Sequence, residues 1–147
     1  MCLPTRLALA ASLLCASSSA TAEAAAGSRT VSGWARRGDF TLAGNLAYDG
    51  KRATGAFVLL AYAGTPGGAS CHFDRFDSVS FGPSSAVFDG FGECTSMPAN
   101  GKLTRYAVHS RFTLVDAGSD TLDVNMIGKG GVTVPGGTLD SGEITVR

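Results

Sequence analysis

From about residue 30 to its C-terminus the chain alternates apolar and polar residues in segment after segment, and no stretch keeps the spacing of an amphipathic helix. Neighbouring residues of a strand face opposite sides of a sheet, so such alternation restricts the chain to strands with one buried face and one wet face. Tyr106, Val108, Phe112 and Leu114 share one parity, while Ala107, His109, Arg111 and Thr113 share the other. Phe40 to Tyr48 repeats the pattern, as do Leu122, Val124 and Met126, and Ile144 with Val146. Further strands are expected over Thr30 to Arg36, Ala53 to Ala63, Cys71 to Phe81 and Ala86 to Thr95. Between them stand turn formers: Asp49-Gly50, Thr65-Pro66-Gly67-Gly68 and Gly82-Pro83-Ser84-Ser85. About eight strands on short connections leave little room for crossovers and predict an all-β antiparallel meander, forming a barrel or a sandwich.

The N-terminal residues follow other rules. Arg6 and then the apolar run Leu7 to Ala16 make a signal-peptide core, too short to span a bilayer. Ala20-Thr21-Ala22 and Ala24-Ala25-Ala26 are small-x-small cleavage sites, so export with cleavage after Ala22 or Ala26 is expected, leaving one domain over residues 27–147. The product is expected to be secreted or periplasmic, with no membrane insertion after leader cleavage. Lysine plus arginine and aspartate plus glutamate both number 12, and no basic cluster interrupts that balance, so nucleic acid is not an expected partner.

Cys2 and Cys15 leave with the leader, and Cys71 and Cys94 remain in a compartment that permits oxidation. With Gly82-Pro83 at a hairpin tip, stepwise pairing brings residue 71 level with residue 94, within a residue or two. A bridge there is a structural staple worth roughly 3 kcal/mol through loop closure. No Cys-x-x-Cys accompanies it to suggest redox work.

One family resemblance runs along the chain. Its pieces are Val31-Ser32-Gly33, Gly55 and Phe57 leading to Tyr62, Cys71 followed by Val79 and Phe81, and Ala86-Val87-Phe88-Asp89-Gly90-Phe91-Gly92-Glu93-Cys94. It continues through Phe112-Thr113-Leu114-Val115-Asp116 and Ser119-Asp120-Thr121-Leu122 to Gly136-Gly137-Thr138-Leu139 and Gly142-Glu143-Ile144-Thr145-Val146. In this order the segments resemble the small bacterial secreted domain labelled post-COAP. The resemblance implies an exported module that often stands beside others, and it carries no catalytic residues across.

Chemistry-bearing residues are sparse. His72 and His109 are the two imidazoles, both on polar or mixed strand positions, where histidine is ordinarily a solvated surface residue. His72, Asp74 and His109 together are the conceivable zinc or copper set, and Asp116, Asp120 and Asp123 the conceivable calcium set, although aspartate and glycine are also ordinary turn residues. No enzyme, metal or cofactor is expected. The third strand departs from alternation, because Val58, Leu60 and Tyr62 form a second apolar face opposite Phe57 and Leu59. That face is the candidate partner surface, and an unidentified extracytoplasmic protein or polymer is the expected partner. The alternative is a lipocalin-like carrier with an empty interior lined by Phe40, Leu42, Phe57, Leu59, Val108 and Phe112.

Overall fold

A computed structural model describes residues 27–62, 68–96, 101–128 and 133–147. The expected leader and residues 65–67 of the expected turn lie outside them. Among the described residues nine strands follow in chain order: β1 (Arg29–Arg37), β2 (Phe40–Tyr48), β3 (Ala53–Tyr62), β4 (Gly68–Phe81), β5 (Ser85–Ser96), β6 (Thr104–Val115), β7 (Thr121–Met126), β8 (Val134–Thr138) and β9 (Ser141–Val146). All pair antiparallel in one curled sheet, a half-barrel of order β8-β7-β6-β5-β4-β3-β2-β1-β9. The meander is as expected. The strand beyond the expected eight is β8, whose Val-Pro-Gly-Gly-Thr sequence carries turn formers where alternation should be.

The inner face collects the apolar parity of each strand, including Val31, Leu42, Phe57, Leu59, Phe88, Phe112 and Leu122, all essentially inaccessible. Phe88 stacks on Phe57 and Phe112 with ring centroids 5.4 and 5.0 Å apart, and Phe73 meets Phe112 edge-on at 4.9 Å. Glycines make room for these rings. A Cβ on Gly44 would sit 2.7 Å from the Phe57 ring and 2.2 Å from a backbone oxygen, and one on Gly90 would sit 2.7 Å from the Phe112 ring. Met126, expected with Leu122 and Val124 in the core, is instead exposed at the end of β7.

β8 and β9, the two ends of the sheet, are consecutive in the chain. The Leu139 amide donates to the Asp120 carbonyl and that of Asp140 to the Arg36 carbonyl. Asp120 and Asp116, in the β6–β7 loop, accept from the backbone amides of Ile144 and Val146 at 2.8 and 2.9 Å. Arg37 at the end of β1 donates to the carbonyls of Pro135, Gly136 and Thr138 on β8. Backbone groups at the ends of the sheet thus find side-chain partners in place of another strand.

Candidate functional site

The inner face is filled by side chains, and the outer face carries several polar and aromatic side chains that reach solvent. Trp34 leaves β1 outward and is 53% exposed. Its register partners are Glu143 on one side and Ala43 on the other, and Ala43 pairs with Val58. The row continues through His72 and Glu93 to Ala107. Five strand spacings separate Trp34 from Ala107, about 24 Å along the curved surface. The parallel row beside it runs Arg36, Thr41, Leu60, Ser70, Thr95 and Arg105. Val58 and Leu60 do face outward as expected, but they are half-buried rather than raised. Of Tyr62 only the backbone, paired with Gly68, is described.

At the far end of this surface lies a pocket of about 400 Å³. Its origin is a β-bulge: Phe73 pairs with Gly92 and Arg75 with Phe91, so Asp74 is an extra residue on β4. Asp74 and Arg75 are both exposed and both line the pocket. Arg75, Phe91 and His109 stand opposite one another on β4, β5 and β6. The Arg75 guanidinium lies 4.6 Å from the Phe91 ring centroid, and the His109 ring stacks on Phe91 at 4.0 Å and 16°. Phe91 is thereby clamped between a cation and an imidazole. Ile127, whose amide donates to the His109 carbonyl, completes the wall.

Behind the stack, Asp89 is only 6% exposed although it belongs to the outer face. Arg111 opposite it donates through Nε and an Nη at 2.7 and 3.0 Å, a bidentate clamp. That guanidinium holds the Asp89 carboxyl below the usual carboxylate range, outweighing the opposing effect of burial, and His109 adds a smaller pull the same way. His109 Nε2 is 3.7 Å from Asp89 Oδ2, and it is buried with no hydrogen-bond partner among the described residues.

The structure separates the other candidates. Cys71 and Cys94 are opposite each other on β4 and β5, buried and disulfide-bonded, with Cα atoms 3.9 Å apart. Asp116 and Asp120 turn onto the β9 amides, while Asp123 accepts from Asn125 at 2.6 Å. His72 and His109 occupy different rows, two strands apart. Among the described residues no group of three or more histidine, cysteine, aspartate or glutamate side chains is placed to hold a metal ion.

Sequence reasoning missed Trp34, Arg75 and the Asp89–Arg111 pair. Trp34 had a legible signal, since it has the parity opposite to Val31, Gly33 and Ala35, so a large aromatic ring had to face outward. Searches against protein-family models, curated proteins and solved structures found no match to the chain.

Proposed function

We propose that the protein is a non-catalytic binding module acting outside the cytoplasm, and that its outer sheet face takes an extended polysaccharide. The observation that carries this reading is the exposed Trp34 at the head of a row of small and polar side chains about 24 Å long. The C–H-rich face of a pyranose packs on an indole, and the flanking Arg36, Glu143, His72 and Glu93 offer donors and acceptors to hydroxyl groups.

A protein partner fits this face less well. Stable protein interfaces have an apolar, aromatic-rich core within at least about 1,000 Å² of buried surface. Among the described residues the exposed large apolar side chains are Trp34, Leu103 and Met126, on β1, just before β6 and at the end of β7, separate places in the strand order. The Cys71–Cys94 bridge suits an oxidising compartment and supports an extracytoplasmic site of action. The same reading treats the curled sheet as a barrel whose seam is stitched by Asp116, Asp120 and Arg37. The ring-on-ring packing inside it supports a module that binds on its surface over a carrier with an empty interior.

Trp34 is the single tryptophan of the chain, so intrinsic emission reports on this face directly. The exported chain titrated with its host's extracellular polysaccharide is expected to show a saturable change in that emission. In a pull-down on the same polymer, Trp34→Ala should weaken binding about tenfold, roughly 1.4 kcal/mol, without changing the melting temperature. Emission indifferent to polymer, together with full binding by Trp34→Ala, contradicts the reading.

A further inference from the structure

The pocket at the end of the row is lined by a guanidinium, that of Arg75. Asp89 is committed to Arg111 by two hydrogen bonds, and among the described residues Arg75 makes no hydrogen bond or ion pair. Its guanidinium rests against the Phe91 ring, which is itself backed by His109. The contact is made by Cζ over the ring, and no N–H of this guanidinium is hydrogen-bonded among the described residues, which leaves its donors for a ligand. A planar fork of donors matches a carboxylate in two-point geometry.

The neighbouring group narrows the class further. The bulge adds Asp74 to the outer face next to Arg75, so the mouth of the pocket carries an acceptor as well as a donor fork. A bare anion gains nothing from Asp74, whereas a ligand carrying hydroxyls beside its carboxylate satisfies both. Phe91, Ala107 and Ile127 supply an apolar wall, and about 400 Å³ lies within the range of small-ligand pockets. We infer that this pocket is a subsite for a uronic acid, a carboxylate borne on a polyhydroxylated ring, with Arg75 taking the carboxylate and Asp74 the hydroxyls. As one unit of a longer chain, such a ligand rests on the polysaccharide reading above. As a free sugar acid it does not.

The test follows the ring signals of His109 and Phe91 by NMR in the intact exported chain, with sodium glucuronate, glucose, acetate, glycine and an oligogalacturonate as probes. Glucuronate should shift both rings saturably, and glucose, acetate and glycine should do so at least tenfold more weakly. Arg75→Gln should lose the glucuronate response at least tenfold while keeping its melting temperature. Arg75→Lys, which keeps the charge but not the fork, should lose most of it as well.

Equal responses to glucuronate and acetate, a stronger response to glycine, or an undiminished response in Arg75→Gln would each overturn the assignment. The oligogalacturonate separates the two sources. Tighter binding than the monomer, with Trp34 emission changing as well, identifies a unit of a polymer. A glucuronate response with Trp34 silent to every polymer keeps the uronate subsite and removes the polysaccharide reading.

Discussion

Asp89 sits on the wet parity of β5 and is nonetheless nearly inaccessible, because Arg111 and the His109–Phe91 stack close over it. Its carboxyl titrates below its ordinary value of 3.8, chiefly through the Arg111 hydrogen bonds. The unfolded chain therefore takes up this proton at higher pH than the folded one. The stabilisation is complete above the ordinary value and is lost as pH falls through the lowered one. Arg111→Gln should be less stable than the parent near pH 7, and the gap should close progressively below pH 4. Urea midpoints of both proteins across that range check it, and a gap independent of pH contradicts the pairing. Sequence alone did not reveal this pair, because Asp89 and Arg111 are 22 residues apart and meet only through the β5–β6 register. Trp34 needed only its parity, whereas Arg75 could be placed only once the bulge before it was known.

At the scale of elements, alternation made the inner faces of β2 and β6 legible, because each keeps one parity from end to end, whereas β3 is apolar on both faces. β4 does not keep one parity. Phe81 pairs with Ala86 and Ser80 with Val87, a register that would set Cys71 opposite Ser96 if it continued unbroken. Two extra residues on β4 shift it to Cys71 opposite Cys94. One shift falls at Asp74, and the other falls around Ser78, whose φ of 50° lies in the left-handed region and whose amide donates to its neighbour Asp77. The cysteine pairing was legible within its stated margin, but the bulges were not, and one of them builds the candidate pocket. Since the bridge closes a separation of 23 residues, Cys71→Ser with Cys94→Ser should cost roughly 3 kcal/mol in denaturant unfolding. A cost near zero would mean that the ladder alone holds this hairpin in register. β8 stayed hidden because Pro135, Gly136 and Gly137 read as a turn, whereas its register is held from outside the strand by Arg37.

Over the whole molecule, the two faces of one sheet differ in character. The inner face packs its phenylalanines against each other, with Phe57, Phe73, Phe88 and Phe112 in ring contact, and the outer face is the proposed binding surface. Of the expected partner surface at Val58, Leu60 and Tyr62, Val58 and Leu60 lie half-buried on the outer face. Those residues form part of the floor of a longer surface that begins at Trp34 and ends in the pocket beside His109. Residue-resolved NMR of residues 27–147, titrated with an extracellular polysaccharide of the host, tests the proposed outer-face binding most directly. Perturbations should trace Trp34, Ala43, Val58, His72, Glu93 and Ala107 across the outer face while Phe57, Phe88 and Phe112 stay still. Perturbations confined to the inner phenylalanines, or none at all, would contradict it.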